Sequence, residues 1–316
     1  MTVSSRAKWA EDARYFEYTK VANPIGHQTP KCPLGSFDRQ LHQGGETRII
    51  PLDLSAGLMC PSPATSPNLS ANFIRINAGE SITTSINATS ELYFVIEGKG
   101  QTQIGGDALP WEQHDLFTLP LGAATHVATT DSVLYWVHDQ PLLTYLGVRA
   151  ETPRFRPTLF RHEDEDSNLS AIRNDPHAKD RNRVSVLLAN SQCAMTETAT
   201  HVLWAMYGVL PAGATQLPHR HQSVALDLII HCKPGCYSLL GEELDADGNI
   251  INPVRADWNT ASAFVTPPGW WHAHYNETDE DAFLLPIQDA GLQTFMRTLD
   301  IHFFHKDHQS FISLKK

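Results

Sequence analysis

Short runs of β-branched and aromatic residues recur along most of the chain from about residue 45 onward. Clear examples are 72-NFIRIN-77, 92-LYFVI-96, 133-VLYWVH-138 and 142-LLTYLGV-148, with Gly, Pro, Asn and Asp between them. Runs of this length and composition, bounded by turn residues, are typical of β-strands. The pattern therefore predicts an all-β fold for the greater part of the chain.

The N-terminal segment has a different pattern. Trp9, Ala13 and Phe16 follow Ser4 and Ser5 at helical spacing, which predicts a short amphipathic helix over residues 5 to about 20. We expect residues 1–44 to form an N-terminal helical arm whose apolar side packs on a partner surface.

The chain becomes polar between residues 151 and 182, where it contains 162-HEDED-166 and most of 173-RNDPHAKDRNR-183. We interpret this stretch as a linker, because a second strand-rich region begins near Val184. The acidic run is more typical of a solvated face than of a cation site. The expected domains are therefore one β-unit over 45–150 and a second over 183–316.

An internal repeat relates the two β-units. Four positions of the first unit recur 134 residues later in the second: Gly79, Ser85, Asn87 and Glu91 correspond to Gly213, His219, His221 and Ala225. A second block, Pro120 and Gly122, recurs 147 residues later as Pro267 and Gly269. Two copies of one β-unit are the simplest explanation.

The second unit carries three histidines at a spacing that suits a metal ion. His219 and His221 lie two residues apart, so on a strand both imidazoles point to the same face. His272 follows Pro267-x-Gly269 at the start of a later strand and could meet them across a barrel. Three neutral imidazoles bind a divalent first-row metal and leave coordination positions open, as in catalytic sites. An isolated His-x-His would instead be a surface pattern without function.

These residues resemble the motifs of the cupin family, Gly-x5-His-x-His-x3-4-Glu-x6-Gly and Pro-x-Gly-x2-His-x3-Asn. The second unit matches them at Gly213, His219, His221, Pro267, Gly269, His272 and Asn276, with Ala225 at the Glu position. The first unit keeps Gly79, Glu91 and Gly98, has Ser85 and Asn87 at the histidine positions, and has His126 displaced by one residue. The resemblance implies a bicupin, two double-stranded β-helix (jelly-roll) barrels, in which the first has a degenerate metal motif. Glu91 and His126 would then be structural or substrate-adjacent.

A three-histidine bicupin is similar to the gentisate and salicylate 1,2-dioxygenases and 1-hydroxy-2-naphthoate dioxygenase. The resemblance covers about residues 183–290 and includes 183-RVSVLLAN-190. It implies that Arg183 grips a substrate carboxylate, that Trp204 lines the pocket, and that His274 is a non-ligand histidine near the substrate. It also implies an extradiol-type dioxygenase of the EC 1.13.11 type, which opens the ring of a monohydroxylated or dihydroxylated aromatic acid, similar to salicylate, gentisate or hydroxynaphthoate, with O2. Fe(II) would be held by the three metal-ligand histidines, in a cytoplasmic homotetramer or homodimer.

Two departures from that family matter. The intact site lies in the C-terminal barrel, whereas the family usually carries it in the N-terminal one. Asp227 has the parity of His219 and His221 and stands where the family generally has a second substrate-binding arginine. A buried carboxylate there would repel a carboxylate substrate. Asp227 could pair with Arg183, it could indicate a substrate other than gentisate, or it could cap backbone groups at the barrel end.

Other functions remain open at this point. The same histidines could hold Zn, Mn or Ni for an isomerase, hydrolase or decarboxylase, or the protein could be a non-catalytic ligand-binding bicupin. Other classes of partner are disfavoured, since 24 Lys and Arg against 35 Asp and Glu give a net charge of −11 that repels nucleic acid and anionic membranes.

The cysteines, the N-terminus and the C-terminal tail complete the sequence predictions. The five cysteines show no CxxC pairing and favour a reducing cytoplasm. No targeting or membrane-spanning segment is expected. The tail 302-HFFHKDH-308, with three histidines, is expected to be a partly helical face near the end of the chain.

Overall fold

The computed structural model describes residues 8–61, 63–178 and 181–304. Two compact units are present, residues 1–31 and residues 32–316. In the first unit, residues 8–10 are helical, and a one-turn helix α1 spans Tyr18–Val21. The single helix predicted over residues 5–20 is therefore wrong in its extent, and its residues 5–7 lie outside the described chain. Trp9 and Phe16 are 87% and 70% exposed, and a short helix without such packing is only marginally stable.

The second unit consists mainly of strands. In the first half of the chain these are β1 Ser36–Phe37, β2 Arg48–Pro51, β3 Ser70–Ile76, β4 Ser81–Ile86, β5 Glu91–Glu97, β6 Lys99–Ile104, β7 Asp107–Glu112, β8 Leu116–Leu119, β9 Gly122–Ala128, β10 Ser132–His138 and β11 Thr158–Phe160. In the second half they are β12 Val184–Leu188, β13 Trp204–Leu210, β14 Thr215–His221, β15 Ala225–His231, β16 Cys236–Gly241, β17 Val254–Asp257, β18 Ala263–Thr266, β19 Trp271–Asn276, β20 Ala282–Gln288 and β21 Ile301–Phe303. The helices of this unit are α2 Ser55–Leu58, α3 Gln140–Leu146, α4 His162–Arg173 and α5 Ala290–Met296.

Each barrel is built from a pair of antiparallel sheets. The first barrel has a six-stranded sheet in the order β11-β8-β5-β10-β3-β2 and a four-stranded sheet in the order β4-β9-β6-β7. The second has a six-stranded sheet in the order β1-β18-β15-β20-β13-β12 and a five-stranded sheet in the order β17-β16-β19-β14-β21. The predicted all-β bicupin architecture is confirmed.

The central strands are apolar on both faces because each face meets a separate core. On β5, Tyr93 and Val95 pack inside the first barrel, whereas Leu92 and Phe94 join a cluster that also contains Leu226 of the second barrel. The six-stranded sheets thus share one core between the barrels. This double burial accounts for the nearly continuous apolar runs in the sequence.

Two segments cross the domain boundaries expected from the sequence. β1, which precedes the first barrel, pairs with β18 of the second barrel. The polar stretch 151–182 contains β11, which pairs with β8, and it also contains helix α4. Both strands extend a six-stranded sheet at its edge.

The prediction of a strand at 142-LLTYLGV-148 is wrong, because most of this run lies in α3. Pro141 stands in the first turn of this helix, and Gly147 ends it in the left-handed conformation with φ 67°. Proline at the start and glycine just past the end are typical helix boundaries. The apolar run alone did not distinguish a helix from a strand.

Candidate metal centre and adjoining pocket

Two neighbouring strands bring the three predicted ligands together. His219 and His221 lie on β14, and His272 lies on β19 directly opposite His219. One potential ligand atom from each of the three rings lies within 4.8 Å of the others. All three side chains are buried. Among the residues that the structure describes, this is the one group of three or more histidine, cysteine or acidic side chains with metal-binding spacing.

Backbone carbonyls orient the three imidazoles. His221 Nδ1 lies 2.8 Å from the carbonyl oxygen of Ser223, and His272 Nδ1 lies 3.0 Å from that of Trp270. His219 Nδ1 makes a longer contact of 3.4 Å with the Leu217 carbonyl. Because a carbonyl only accepts, Nδ1 of His221 and of His272 carries the proton and Nε2 keeps a lone pair. His219 Nδ1 also lies 3.5 Å from Gln216 Nε2, which is a donor. Partners of this kind fix the ring orientation of metal-binding histidines.

The ligand rings are held in the neutral form. Burial, followed by contact with other histidines, holds the pKa of His219 and His272 well below its usual range. Burial likewise lowers the pKa of His221 to about 4. A neutral imidazole is the form that binds a metal ion, so at neutral pH the site does not have to lose protons before it accepts a cation.

A cavity of about 440 Å³ adjoins the histidines. Its lining residues are Arg183, Ser185, Trp204, Met206, His219, His221, Gln288, Leu299, Asp300, Ile301 and Phe303. Arg183 Nε donates to Ser185 Oγ at 2.8 Å, but Arg183 Nη2 and Trp204 Nε1 are buried without an acceptor in the described chain. Unpaired buried donors are costly. The cavity therefore offers two donors to a ligand that carries hydrogen-bond acceptors.

The other predicted site residues are buried nearby but are not among the lining residues of the cavity. The His274 ring centroid lies 5.7 Å from that of His219 and 5.6 Å from that of His272. His274 Nδ1 lies 2.7 Å from Ser238 Oγ. Burial, followed by Arg183 and His221, keeps the pKa of His274 well below its usual range. His274 is thus a neutral ring beside the ligand set.

Asp227 is 3% exposed, and its Oδ2 accepts a hydrogen bond from Thr266 Oγ1 at 2.6 Å. Burial raises the pKa of Asp227 to about 6, against the lowering effects of Thr266 and of the Arg183 guanidinium. In the described chain Asp227 forms neither a direct ion pair with Arg183 nor a cap on backbone groups. Of the alternatives raised by the sequence, a substrate that differs from gentisate stays open.

The first barrel lacks the ligands and fills their place. Ser85 and Asn87 occupy the positions of His219 and His221 in the repeat. Asn87 Nδ2 donates to the Val148 carbonyl at 2.7 Å, and its Oδ1 accepts from the Ala150 amide at 2.9 Å. The position that corresponds to His221 therefore holds the chain that follows α3.

The match proposed for His126 needs correction. His126 lies opposite Thr102 on β6, and His274 lies opposite Ser238 on β16, at the same place in the two barrels. His126 is thus the counterpart of the non-ligand His274 and not of a displaced His272. A register shift in β14 next to His219 hid this correspondence in the sequence. His126 is fully buried and hydrogen-bonded on both ring nitrogens, which fits a structural role.

One wall of the cavity could not be predicted from the sequence. The tail residues Ile301–Phe303 form β21, which pairs with β14 along the ligand strand. The Phe303 ring stacks on His219 at 6.0 Å between centroids, with 17° between the planes. The expectation of a partly helical tail is wrong for residues 302–303, and residues 305–308 lie outside the described chain. Three residues carry too little periodicity to predict a strand.

Gln288 was also left unassigned by the sequence. It lines the cavity, and its Oε1 accepts a hydrogen bond from Ser223 Oγ at 2.7 Å. Ser223 also supplies the carbonyl that orients His221. Gln288 therefore holds the residue that orients His221, a contact that only the fold reveals.

Comparisons with known proteins place these features in context. The chain is 29% identical over 84 residues to 5-nitrosalicylic acid 1,2-dioxygenase of Bradyrhizobium sp, a match that covers 26% of this chain and 41% of the relative. It is 33% identical over 92 residues to 5-aminosalicylate 1,2-dioxygenase of Comamonas sp, covering 28% of this chain and 25% of the relative. The matches thus span less than half the length of these curated relatives. No family model matches the chain.

Solved structures are similar over nearly the whole chain. Salicylate 1,2-dioxygenase from Pseudaminobacter salicylatoxidans aligns with a TM-score of 0.70 at 13% identity, covering 95% of this chain and 97% of that one. Its adduct with gentisate aligns with a TM-score of 0.70 at 14% identity, covering 96% and 94%. No described helix is long and apolar enough to cross a membrane. The chain therefore has the bicupin fold of salicylate 1,2-dioxygenase and, over a limited segment, resembles curated ring-cleaving 1,2-dioxygenases of the salicylate and gentisate type.

Proposed function

We propose that this protein is an Fe(II)-dependent dioxygenase that opens the ring of a hydroxylated aromatic acid with O2. The acid would be of the salicylate, gentisate or hydroxynaphthoate class. One observation carries the proposal: three neutral imidazoles each bring one ring nitrogen within 4.8 Å of the others, beside a cavity lined by Arg183, whose Nη2 has no acceptor in the described chain. The sequence similarity to salicylate-type dioxygenases points to the same chemistry.

The donor set fits iron. Imidazole nitrogens suit Fe(II). Three neutral imidazoles without a carboxylate would leave coordination positions on the ion open and would not neutralise its charge. His219, His221 and His272 would hold it. When bound, iron would supply the chemistry that brings the aromatic acid and O2 together for reaction.

The protein side chains would orient the substrate. The Arg183 guanidinium would bind the carboxylate through its free Nη2, a charge-assisted contact that is strong in a desolvated site. Trp204 and Phe303 would enclose the ring between aromatic walls, and Leu299 and Ile301 would exclude water. His274 would donate a hydrogen bond from its neutral ring to a substrate oxygen.

Asp227 makes this site different from one built for two carboxylate-binding arginines. Its carboxyl is buried close enough to Arg183 for that guanidinium to lower its pKa. It therefore offsets part of the positive charge available to a substrate acid. We propose that the affinity for the substrate depends less on its carboxylate than the affinity for gentisate would.

A non-redox function at the same histidines is the second candidate, because three imidazoles also suit Zn, Mn or Ni. An isomerase, hydrolase or decarboxylase of this kind would turn over unchanged without O2. A non-catalytic ligand-binding bicupin would take up the aromatic acid but would form no product.

Anaerobic reconstitution separates these possibilities. The metal-free protein is loaded with Fe(II) under nitrogen and then exposed to oxygen with salicylates, gentisate, hydroxynaphthoates and aminophenols, while O2 uptake and product are recorded. We expect O2 uptake with at least one hydroxy acid and loss of both iron and product in His221→Ala. The matched control is Ser85→Ala in the first barrel, at the position that corresponds to His219. This variant should keep both its iron content and its product formation. Turnover that is unaffected by removing O2 would exclude the dioxygenase.

We further propose a cytoplasmic location and a homodimer or homotetramer. All five cysteines are free thiols, which suits a reducing compartment. Trp9, Tyr15, Phe16 and Tyr18 are all more than two-thirds exposed, and such a concentration of aromatic surface is typical of contact regions. Light scattering on the full chain and on Phe16→Ser measures whether these residues hold subunits together.

A further inference from the structure

A short chain of hydrogen bonds holds His274 at its Nδ1 atom. Trp258 Nε1 donates to Ser238 Oγ at 2.9 Å, and Ser238 Oγ lies 2.7 Å from His274 Nδ1. All three side chains are at most 2% exposed. Water therefore does not compete for these bonds, and protein groups alone decide where each hydrogen lies.

The direction of the chain follows from the donors. An indole N–H can only donate, so Trp258 occupies a lone pair of Ser238. In the described chain, the hydroxyl hydrogen of Ser238 has one available acceptor, His274 Nδ1. Leaving that buried hydrogen unbonded would cost free energy. Ser238 therefore donates to Nδ1, and the proton of the neutral ring lies on Nε2.

The first barrel contains the same arrangement, and there the direction is fixed at both ends. Tyr93 Oη donates to Glu91 Oε2 at 2.6 Å, so it accepts from Thr84 Oγ1 at 2.9 Å. Thr84 then accepts from His126 Nε2 at 3.1 Å, and Thr102 donates to His126 Nδ1 at 2.8 Å. The Trp111 indole donates to Thr102 Oγ1 at 3.0 Å, just as Trp258 donates to Ser238. The non-ligand histidine of the first barrel thus also carries its proton on Nε2.

The two barrels differ at the Nε2 side of this histidine. The repeat places Pro218 where the first barrel has Thr84, and Asp227 where it has Tyr93. A proline side chain accepts no hydrogen bond. No described residue is a hydrogen-bond partner of His274 Nε2. The second barrel thus keeps the hydroxyl that places the proton on Nε2 of His274, but no described side chain accepts that proton. The His274 ring lies next to the rings of His219 and His272.

We propose that Ser238, held in turn by Trp258, is a positioning residue that fixes His274 as an Nε2–H donor toward an oxygen of the bound aromatic acid. The proton position stands on the hydrogen bonds, whereas the use of the donor rests on the proposed function. The same proton removes the Nε2 lone pair, so His274 stays outside the metal ligand set although it lies beside it.

Nuclear magnetic resonance of the metal-free protein tests the proton position directly. With 15N-labelled histidine, long-range proton–nitrogen correlations distinguish a protonated ring nitrogen from an unprotonated one. We expect His274 in the wild type to show Nε2 protonated and Nδ1 bare. Ser238→Ala should give a mixture of both forms. Ser238→Thr keeps a hydroxyl at this position, as Thr102 does in the first barrel, and should match the wild type. A wild-type spectrum with protonated Nδ1 overturns the proposal whether or not the variants fold, as does a Ser238→Ala spectrum identical to the wild type.

Ligand affinity tests the use of the donor. In the Zn(II)-loaded protein, whose ion supports no redox turnover, we expect Ser238→Ala to weaken salicylate binding by the factor by which the Nε2-protonated form is depleted in the nitrogen spectrum, about twofold for an equal mixture. Ser238→Thr should bind salicylate as the wild type does, and Zn(II) affinity should be unchanged in both variants. Equal salicylate affinity in Ser238→Ala overturns the donor role. Absence of O2 uptake by the iron-loaded wild type, with the expected His274 spectrum, would refute the proposed function alone.

Discussion

Replacing Asp227 with Asn tests the electrostatics of the site. The folded protein raises the pKa of this carboxyl from 3.8 to about 6, mainly through burial. The unfolded chain therefore loses the proton first as pH rises, and stability falls between these two values and is then constant. At about 1.36 kcal/mol per pH unit, the penalty is about 1.5 kcal/mol at pH 5 and about 3 kcal/mol at pH 7.5. Asp227→Asn removes it and keeps an oxygen that can accept from Thr266.

Urea unfolding of the metal-free protein, followed by tryptophan fluorescence at pH 5 and pH 7.5, measures the difference. We expect Asp227→Asn to be more stable than the wild type at both values, by a margin that grows by about 1.5 kcal/mol between them. Asp247→Asn, at an exposed turn, controls for the loss of one negative charge. A margin that does not change with pH would refute the reasoning, because an unshifted carboxyl gives the same pH dependence folded and unfolded.

The same variant reports on the substrate. Removing the buried charge should tighten binding of salicylate to the Zn(II)-loaded protein by roughly tenfold, since the carboxylate of the ligand is no longer repelled. Salicylamide has the same shape without the charge and should be unaffected. Equal changes for both ligands would show that Asp227 does not act on the ligand through its charge.

Three further outcomes follow from the structure. Glu165 is 3% exposed, neither of its oxygens has a hydrogen-bond partner among the described residues, and burial followed by Asp115 raises its pKa to about 9. Glu165→Gln should therefore stabilise the protein by about 4 kcal/mol at pH 7.5 and by under about 0.5 kcal/mol at pH 4.5 in urea unfolding; equal gains at both would contradict this. Phe303→Ala should weaken salicylate binding about tenfold, and Phe303→Leu less, because Phe303 stacks on His219 and walls the cavity; calorimetry decides, and unchanged affinity would remove β21 from the site. Chelation should lower the melting temperature of the metal-loaded wild type but not of His221→Ala, because a bound ion stabilises only the folded state; an equal loss in both would place the ion elsewhere.

The sequence was sufficient where local spacing determines geometry. Alternation on a strand put His219 and His221 on one face, and the repeat identified two barrels. The place of His272 beside them was predictable because a Pro-x-Gly turn precedes it. These features depend on residues close together in the chain, and they were the parts of the site that the structure brought together as expected.

The features that escaped prediction depend on distant pairing. The partner of Asp227 is Thr266, on a neighbouring strand, and β21 joins β14 from the far end of the chain. The register shift next to His219 displaced the correspondence between His126 and His274. Spacing along one sequence cannot reveal a hydrogen bond between strands or an irregularity within a strand.

The difference between the barrels has a simple physical origin. In the first barrel, Tyr93, Glu91 and Trp136 fill the interior and hydrogen-bond to one another. The repeat replaces Tyr93 with Asp227 and Glu91 with Ala225. The second barrel thus has smaller side chains next to its three histidines, whereas a hydrogen-bonded network of large side chains fills the corresponding space in the first barrel.

Oxygen-isotope labelling tests the central claim most directly. The iron-loaded protein is given 18O2 and the hydroxy acid that supports the fastest O2 uptake, and the ring-opened product is weighed by mass spectrometry. Three histidines with open positions for both an aromatic acid and O2 predict that two atoms of 18O enter each product molecule. A product that contains no 18O, or that forms at the same rate without O2, would contradict the account.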